Sequence, residues 1–471
     1  MNQFYNPVFL LRVAQSYLSE VNRIWTLDER QLKAYKDKAF RKTIRFAYDQ
    51  VPLYHQKYQE HGIHPEDIRG ISDIRKLPFI SKDDLRNGYP KNIIPKRFKE
   101  QNNILVSTSG STGKPVFMYH DRLSAIKSLE AFLRVLKAYG GHWRKTRIIL
   151  VIDMEPGSIE HTLFSESVST FLKKFMPMDN IKYLHIGDDP KDLMKKMNDF
   201  DPEFLGSDPN MLRKFAVLKN NGHGTDIAPR FLFSSGSMLD PYTKRYVEHA
   251  FSSRIIDMYG TTEAGPLAFE CVKGGYYHVH SDFVHLEFLD QTDNDVEYET
   301  PGRLVVSKLY GTATPIIRYL GIEDMVTPIR LSSDCCGLQT QLIQSIQGRY
   351  TDLIVLPDGR LLSALTITGI PSKVMDKFNT YKIKQFQIIQ QDVTHLDVLI
   401  VIDEVQRNIG VSVDELIKEL RHQFSQRIGP NMNVVVREID EIQKDDRSDY
   451  VRVVVSKVKP LEFSSNTSQS E

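Results

Sequence analysis

An eight-residue loop rich in glycine and hydroxyl side chains is the first place where the sequence could do chemistry. It runs from Thr108 to Pro115 as Thr-Ser-Gly-Ser-Thr-Gly-Lys-Pro. The glycines let main-chain N–H groups turn inward as an anion-binding nest, and the hydroxyls and the lysine add donors and positive charge. The P-loop of NTPases has a wider glycine spacing and no proline after its lysine. We therefore expect a different phosphate-binding loop, formed by Thr108, Ser109, Gly110, Ser111, Thr112, Gly113 and Lys114. A flexible serine- and glycine-rich linker is the alternative.

A second polar motif follows an apolar segment. Residues 254–258 read as a buried strand, and Tyr259-Gly-Thr-Thr-Glu-Ala-Gly265 comes directly after them. Ligands of parallel sheets bind where the strands end. There Tyr259 could stack on a purine, a threonine hydroxyl could reach a phosphate, and Glu263 could hold Mg²⁺ that bridges phosphate oxygens. An ordinary strand-to-loop turn with a capping threonine is the alternative.

Together the two motifs resemble the signatures of the adenylate-forming superfamily, which includes acyl- and aryl-CoA ligases, peptide-synthetase adenylation domains and luciferases. The loop at 108–115 is similar to its Ser/Thr-Ser-Gly-Ser/Thr-Thr-Gly-Lys-Pro signature, and Tyr259 to Glu263 matches its Tyr-Gly-x-Thr-Glu core. Nearly the whole chain resembles one branch, the phenylacetate–CoA ligases with the CapK-like capsule-biosynthesis proteins and the deazaflavin-adenylylating synthetases. The segments that carry this further resemblance are 47–54, 77–82, 315–319 and 348–352.

The resemblance implies an ATP-dependent ligase. In such enzymes a carboxylic acid attacks the α-phosphate of ATP, pyrophosphate leaves, and a thiol of CoA or of a carrier protein takes the acyl group from acyl-AMP. It also implies roles for individual residues. The loop at 108–114 would hold the β- and γ-phosphates, and Glu263 would bind Mg²⁺. The remaining implied nucleotide contacts are Ser235, Gly236 and Ser237 in the adenine slot, Tyr259 with Gly260 against adenine, Thr261 or Thr262 at the α-phosphate, and Arg349 at the hinge.

Two departures from the family pattern concern single residues. The ribose-binding Asp usually closes Arg-Tyr-x-Thr-Gly-Asp, whereas here the run from Arg318 is one residue longer and ends at Asp324, with Glu323 as the neighbouring alternative. The catalytic Lys usually stands before Arg452 and its apolar strand, where this chain has Tyr450. Losing one preorganised charged donor costs about 3–4 kcal/mol of transition-state stabilisation. The sequence therefore leaves open whether Lys444, Lys457 or Arg452 supplies the missing charge.

The three cysteines of the chain form a third constellation. Cys271 is followed by His278, and Cys335 and Cys336 follow Asp334. Structural zinc sites take four ligands from Cys and His. Some members of the resembled branch hold zinc with Cys-x₆–₈-His and Cys-x-Cys-Gly, in which Asp334 would replace the first cysteine of the pair and Cys335 is an alternative ligand. The predicted Zn²⁺ ligands are Cys271, His278, Cys335 and Cys336; scattered cysteines buried as small hydrophobes are the alternative.

The elements that must position these residues indicate an α/β (mixed) fold. Between 104 and 258, short apolar strands alternate with helical segments at 123–139, 190–200, 208–220 and 240–250, which predicts a parallel sheet covered on both faces. After 276 the pattern becomes β-rich, with strands at 278–289, 302–307 and 315–319. We predict a large N-terminal α/β domain (1–347), a small α+β C-terminal domain (348–462) after a hinge, and a polar tail (463–471).

Composition excludes several classes of protein. The 471 residues include 61 Lys and Arg and 60 Asp and Glu, and this balance argues against a protein that coats nucleic acid. Three cysteines do not make a secreted disulfide scaffold, so we expect a cytoplasmic protein. No apolar run is long enough for a transmembrane helix.

We therefore expect an acid–thiol ligase, with ATP, Mg²⁺ and a small carboxylic acid as ligands. CoA or a carrier protein supplies the thiol, and a homodimer is plausible by resemblance. One alternative is a nucleotide-binding accessory protein of polysaccharide or secondary-metabolite biosynthesis in which adenylation is impaired, because Tyr450 replaces the Lys. The other is an adenylyltransferase that acts on an acceptor other than a carboxylate.

Overall fold

The computed structural model describes residues 15, 19–108, 115–155, 179–330, 336–349, 353–443 and 452–458. Its α-helices are α1 (Arg23–Thr26), α2 (Glu29–Gln50), α3 (Pro52–Glu60), α4 (Lys82–Gly88), α5 (Arg122–Ala138), α6 (Pro190–Phe200), α7 (Pro209–Asn220), α8 (Pro241–Phe251), α9 (Ala364–Thr368), α10 (Ile370–Phe378) and α11 (Val413–Ile428). The first strands are β1 (Asn103–Ser107), β2 (Phe117–Asp121), β3 (Ile148–Ile152), β4 (Ile181–His185), β5 (Phe204–Ser207), β6 (Phe231–Ser234), β7 (Arg254–Thr261), β8 (Gly265–Glu270), β9 (Tyr277–Val279) and β10 (Val284–Leu289). They are followed by β11 (Gly302–Lys308), β12 (Asp324–Ile329), β13 (Leu342–Arg349), β14 (Ile354–Val355), β15 (Leu361–Leu362), β16 (Ile383–Asp392), β17 (His395–Ile402), β18 (Asn433–Glu438) and β19 (Val454–Ser456).

An 11-stranded sheet dominates the larger domain, in the order β10-β11-β12-β13-β9-β8-β7-β6-β5-β3-β4. The half formed by β4, β3, β5, β6 and β7 is parallel, whereas the half from β8 to β10 is antiparallel. Strand β7 lies at the junction, because it runs parallel to β6 and antiparallel to β8. The change of direction at β7 opens one end of the sheet for loops from both halves.

The parallel half follows the sequence pattern closely. The side chains of β5 are all buried, as expected for a strand covered on both faces. Each of the helices α6, α7 and α8 begins at an Asp-Pro pair, in which the aspartate caps main-chain N–H groups of the first turn and the proline takes the first helical position. These caps are Asp189, Asp208 and Asp240. Because proline is preorganised there and Asp satisfies unpaired donors, the helix starts are encoded locally.

The smaller C-terminal domain is an α+β unit. Its four-stranded sheet has the order β18-β17-β16-β19, with an antiparallel hairpin of β16 and β17 between two strands that pair in parallel. Helix α11 starts in a capping box at Ser412 and Glu415 and buries one apolar face, made of Leu416, Leu420, Phe424 and Ile428. The predicted fold class, mixed α/β with a smaller C-terminal domain, is confirmed.

Several predicted elements differ from those of the structure. The segment predicted as one strand from 278 to 289 is two strands, β9 and β10, which a turn at 280–283 separates. The predicted strand at 315–319 is absent, although Tyr319 makes isolated bridges to Ile80 and Val306. Strands β12 and β13 were not predicted, because polar residues within them interrupt the alternation of apolar and polar side chains that is typical of a strand. Within the described ranges, no helix is both long and apolar enough to cross a membrane.

Candidate functional site

A β-hairpin carries the predicted phosphate loop. Strands β1 and β2 pair in antiparallel register from Asn103–Asp121 to Ser107–Phe117. Beyond the last pair, the main-chain N–H of Thr108 donates to the carbonyl of Val116 at 3.0 Å, and the N–H of Val116 donates to Thr108 Oγ1 at 3.0 Å. Thr108 therefore closes the open end of the hairpin. The other predicted phosphate ligands, Ser109 to Lys114, lie outside the described residues.

The structure brings three predicted nucleotide ligands together at the junction of the large sheet. The phenol of Tyr259 donates to Asp324 Oδ2, and Asp324 is paired with Arg349 in the register of β12 and β13. Burial, reinforced by the Asp324 carboxylate, raises the pKa of Tyr259 well above its usual value, so the phenol keeps its proton. Strand β7 extends to Thr261, so Tyr259, Gly260 and Thr261 lie within the strand. The prediction that these residues follow the strand is therefore wrong.

Glu263 is a buried carboxylate in the turn between β7 and β8. Its side chain is 6% exposed, and its Oε1 accepts a hydrogen bond of 3.3 Å from the phenol of Tyr319. Burial raises the pKa of Glu263, while the nearby Lys82 opposes this shift. In the same turn, Thr261 Oγ1 accepts from the N–H of Ala264 at 3.1 Å, while Thr262 lies between them, half-buried. The turn thus presents a carboxylate that is largely shielded from solvent and that accepts one hydrogen bond from the protein.

The N-terminal segment reaches this site through Lys82. Its ammonium group pairs with Glu323 Oε2 at 2.6 Å, immediately before Asp324. Glu323 adopts a left-handed backbone conformation with φ 67°, and this turn accommodates the residue that lengthens the path to Asp324. Gly321 permits the packing, because a Cβ there would lie 2.4 Å from Tyr319 Cζ and 2.7 Å from Lys82 Cγ. Of the two carboxylates that the sequence proposed for ribose, Asp324 therefore faces Tyr259 and Glu323 faces Lys82.

The loop after β6 holds the predicted adenine-slot residues. Ser235 donates its N–H to the carbonyl of Ser207 at 3.3 Å, at the carboxyl end of two parallel strands. Gly236 follows with φ 93°, a conformation that favours glycine. The hydroxyl oxygens of Ser234 and Ser237 are inaccessible to solvent and have no hydrogen-bond partner among the described residues. Because buried hydroxyls are usually paired, these two oxygens could hydrogen-bond to a polar ligand or to a water molecule at this edge.

Residues to which the sequence analysis gave no role also reach the site, from the end of strand β2. The imidazole of His120 lies near the main chain of Thr262 and of Glu263. Burial and the neighbouring Lys308 lower the pKa of His120 to about 3, and burial lowers the pKa of Lys308 to about 8. Asp121 accepts a 2.6 Å hydrogen bond from the N–H of Thr312. A histidine in the second strand of the hairpin was a visible signal, but its distance in sequence from Glu263 concealed that the two lie close together.

Three of the predicted zinc ligands converge. The ligand atoms of Cys271, His278 and Cys336 lie within 4.8 Å of one another. Cys336 Sγ lies 3.0 Å from His278 Nε2, and His278 Nδ1 lies 3.0 Å from the hydroxyl of Thr340. Burial lowers the pKa of His278 to about 4, which keeps the imidazole neutral, as a metal ligand must be. Cys335 lies outside the described residues.

The expected position of the catalytic lysine also lies outside the described residues, because Tyr450 is not among them. Downstream, the carbonyl of Arg452 accepts a 2.9 Å hydrogen bond from Gln387. The ammonium group of Lys457 donates to Gln391 Oε1 at 2.6 Å. Lys457 is thus engaged within the C-terminal domain.

The fold and the site indicate the class of protein to which this chain is similar. The model superimposes on the structure of 2-hydroxyisobutyryl-CoA ligase in its postadenylation state with a TM-score of 0.74, at 17% identity, covering 92% of this chain and 90% of that one. Against the thioesterification state of the same ligase, which contains 2-HIB-AMP and CoA, the TM-score is 0.59 at 18% identity, covering 92% and 91%. The fold is therefore that of the adenylate-forming CoA ligases, as the sequence motifs had predicted.

Comparison with curated sequences narrows the class. The phenylacetate-coenzyme A ligase of Escherichia coli (strain K12) is 23% identical over 91% of this chain and 96% of its own length. Protein CapK of Staphylococcus aureus is 22% identical over 90% of this chain and 88% of its own length. Residues 364–457 match the family model of the CapK C-terminal domain. The chain is thus a relative of both the phenylacetate–CoA ligases and CapK, which confirms the predicted branch.

Proposed function

We propose that the protein is an ATP-dependent, adenylate-forming ligase that activates a small carboxylic acid for transfer to a thiol. The observation that carries this proposal is the grouping of Tyr259, Asp324 and Glu263 at the sheet junction, which a nucleotide and its cation would require. Relatives named phenylacetate-coenzyme A ligase that align over nearly the full chain support an aryl or acyl acid as substrate and CoA as acceptor. A carrier-protein thiol is the alternative acceptor.

Two displacements make up the proposed reaction. First, a carboxylate oxygen of the acid attacks the α-phosphorus of ATP, the bond to the pyrophosphate oxygen breaks, and acyl-AMP forms. Then the thiolate attacks the acyl carbon and AMP leaves. Tyr259 would provide a fixed aromatic face for adenine, with Gly260 leaving room beside it. The carboxylate of Asp324 could accept the ribose hydroxyls. Thr261 or Thr262 would contact the α-phosphate, and Ser235, Gly236 and Ser237 would border the base.

The residues present fit a magnesium ion. Mg²⁺ prefers hard oxygen ligands and usually binds through one or two carboxylates together with substrate phosphates and waters. Glu263 offers one carboxylate, which is buried and has a raised pKa, so a nearby cation would stabilise its charged form. When bound, Mg²⁺ would neutralise charge on the phosphates. Tyr319 would orient the Glu263 carboxylate, and Lys82 would add positive charge beside it.

We further propose that the region around residues 348–352, after Arg349, is the hinge about which the C-terminal domain reorients between the two displacements. Few residues are needed to absorb such a rotation. Tyr450 belongs to this domain and is neutral at pH 7, so it cannot replace the charge of a lysine. If the reaction needs a positively charged side chain from the C-terminal domain at this position, we expect the formation of acyl-AMP to be slow in this protein.

ATP–pyrophosphate exchange tests the proposal directly. The assay would use a panel of aryl, fatty and amino acids, with the wild type beside Tyr450→Lys. We expect acid-dependent exchange in the wild type and a gain of about 10²–10³-fold in the variant if the missing charge limits the first displacement. Calorimetric titration with ATP and Mg²⁺ provides an assay that is independent of turnover.

The outcomes separate the alternatives. Equal exchange in both proteins would mean that another cation supplies the charge. ATP binding without exchange in either protein would point to the nucleotide-binding accessory protein. A stable adenylylated product formed without a carboxylic acid or a thiol would identify an adenylyltransferase. Absence of ATP binding would overturn the proposed function at its first step.

We also propose a structural zinc site at Cys271, His278 and Cys336, with Cys335 as a candidate fourth ligand. Two thiols and a neutral imidazole, whose second nitrogen faces Thr340, suit tetrahedral Zn²⁺. Elemental analysis of purified protein should find about one zinc per chain, and Cys271→Ser should remove it and lower the unfolding temperature. His422→Ala, at an exposed histidine of α11, is the matched control. The proposal would be contradicted if the purified wild type contained no zinc and if adding zinc did not change its unfolding temperature.

A further inference from the structure

The connection from β11 to β12 reaches the turn that carries Thr262 and Glu263 at two points. At the first, the phenol of Tyr310 donates to the main-chain carbonyl of Ala264 at 3.1 Å. At the second, the phenol of Tyr319 donates to the Glu263 carboxylate at 3.3 Å. Tyr319 therefore orients the side chain of Glu263, whereas Tyr310 holds the main chain of the residue that follows it.

The contact of Tyr310 with the turn is buried and closely packed. Tyr310 is 7% exposed, and Ala264 is fully buried. The N–H of Ala264 donates to Thr261 Oγ1 at 3.1 Å, so both main-chain polar groups of Ala264 are paired. Gly265 follows with φ 76°, and a Cβ there would lie 2.9 Å from the phenol oxygen of Tyr310. Glycine at this position thus permits both the backbone conformation and the close approach of the phenol.

The loop at 310–314, which we call the bridging loop, is also bound to the hairpin of β1 and β2. Thr314 donates its N–H to the carbonyl of Tyr119 at 3.1 Å, and its hydroxyl accepts from the N–H of Tyr119 at 3.1 Å. Thr312 donates its N–H and its hydroxyl to Asp121 Oδ2, at 2.6 and 3.0 Å. Because Tyr119 and Asp121 belong to β2, these hydrogen bonds join the bridging loop to the strand that leads out of the predicted phosphate loop.

We propose that Tyr310 is a positioning residue of the nucleotide site, which holds the Thr262–Glu263 turn in place relative to the hairpin that carries the predicted phosphate loop. The inference rests on the proposed function, because it assigns the residue a role in that reaction. The hairpin and the turn come from segments far apart in sequence, and both would have to contact one triphosphate. A loop that is bound to both fixes their separation before the nucleotide arrives. A misplacement of about 1 Å in such a site can reduce the rate about 10²-fold.

Tyr310→Phe tests the contact with the turn, because it removes the hydroxyl and keeps the ring that packs against Phe283. The matched control is Tyr139→Phe. The phenol of Tyr139 is also buried and donates to the carbonyl of Glu270 at 2.9 Å, at the opposite end of β8 from Gly265. Each variant loses one buried hydrogen bond from a phenol to a carbonyl, so a merely structural role predicts the same decrease in unfolding temperature and the same activity for both.

A second pair of variants tests the contact with the hairpin. Thr314→Val removes the hydroxyl that accepts from the N–H of Tyr119, and Thr314→Ser keeps a hydroxyl there. If the bridging loop fixes the turn relative to the hairpin, Thr314→Val has the same defects as Tyr310→Phe, and Thr314→Ser restores most of the activity.

The experiment measures kcat and KM for ATP in pyrophosphate exchange, together with calorimetric binding of ATP and of AMP with and without Mg²⁺. In Tyr310→Phe and in Thr314→Val we expect kcat to fall about 10-fold, because each leaves a buried main-chain group unpaired and loosens the turn or its support. The gain in ATP affinity that Mg²⁺ gives should also decrease about 10-fold, whereas AMP, which lacks the phosphates that the cation would bridge, should bind as in the wild type. Unfolding temperatures show which variants are folded.

Several outcomes would overturn the inference. Wild-type kinetics and Mg²⁺ dependence in Tyr310→Phe would show that the contact does not position the site. Equal defects in Tyr310→Phe and Tyr139→Phe would assign the loss to stability alone. Equal loss of ATP and AMP binding would show a general disruption of the site.

If Tyr310→Phe does not fold, the Thr314 variants decide, and wild-type behaviour of Thr314→Val would contradict the proposal. If the wild type binds ATP without exchange, the binding measurements alone decide. A wild-type protein that binds neither nucleotide would instead overturn the proposed function, and this inference with it.

Discussion

At the scale of single residues, the nucleotide site was predicted to include several charged or phenolic side chains. Each of them that the structure describes has a protein partner or a charged neighbour. Tyr259 donates to Asp324 and Tyr319 donates to Glu263, while Arg349 lies opposite Asp324 in the register of β12 and β13. Such contacts fix a side chain before a ligand arrives, so less ordering is left for the binding step. The partner Tyr319 belongs to a sequence motif of the branch, and its contact with Glu263 gives that motif a physical role.

A buried carboxylate beside this group makes stability depend on pH. Asp257 lies on β7, two residues before Tyr259, and its Oδ2 accepts a 2.8 Å hydrogen bond from Tyr277. Burial raises its pKa to about 7. A raised carboxyl pKa means that the folded state holds the proton more tightly than the unfolded chain does. The stabilisation is therefore complete below about pH 4 and is lost as the pH rises through 7.

Asp257→Asn tests this dependence. Between pH 5 and pH 8 we expect the wild type to lose about 2 kcal/mol of stability that the variant keeps, because asparagine does not ionise and can still accept from Tyr277. Thermal unfolding followed by circular dichroism at both pH values measures the difference between the two proteins. Parallel changes of unfolding temperature in the two proteins would contradict the assignment.

At the scale of elements, local chemistry explains the parts that the sequence predicted well. The Asp-Pro pairs at Asp189, Asp208 and Asp240 combine a capping carboxylate with a proline at the first helical position, so those three helices begin within one residue of their predicted starts. The apolar strands between them were also found, because burial on both faces gives continuous hydrophobic runs. In the antiparallel half the predicted strand at 302–307 matches β11, but β12 and β13 were missed. Polar residues such as Gln344 and Gln347 interrupt β13, and no local signal marks its ends.

Helix α8 shows what an element contributes beyond its own sheet. Its residues Tyr242, Arg245, Tyr246 and His249 recur at intervals of three and four, so they share one face. That face meets the C-terminal domain. Tyr242 packs edge-on against Phe386, with ring centroids 5.0 Å apart, and His249 stacks on Tyr381 at 3.8 Å. The sequence predicted the helix, but the partner of this face was not evident from it.

At the scale of the whole molecule, the apolar clusters do not follow the division into domains. One continuous cluster joins Leu232 of the parallel sheet, Tyr242 of α8, and Phe386 and Leu420 of the C-terminal domain. Another joins the N-terminal helices to the antiparallel strands. The C-terminal domain is therefore docked through buried aromatic side chains, in addition to the exposed ion pair of Arg245 with Asp376. Exposed ion pairs contribute only about 0–1 kcal/mol, so the aromatic contacts dominate the docking.

Tyr381→Ala should loosen this docking. Removing the ring deletes its contacts with His249 and Tyr246, which together stabilise the docked arrangement by about 1–3 kcal/mol. We expect a larger radius of gyration in small-angle X-ray scattering. Tyr298→Ala, at a tyrosine that is 54% exposed, is the control. A scattering curve of Tyr381→Ala identical to that of the wild type would show that the domain is held by other contacts.

The sequence by itself determined the chemistry and the local elements of this protein. Adjacent residues form the predicted phosphate loop and the Tyr259–Glu263 motif, and caps and apolar runs fixed the helices and strands of the parallel half. Tertiary structure decided which distant residues meet: Tyr319 with Glu263, Tyr310 with Ala264, Cys271 with His278 and Cys336. The physical reason is that these contacts depend on the order and register of an 11-stranded sheet, which arises from burial summed over the molecule and leaves no mark on any short segment.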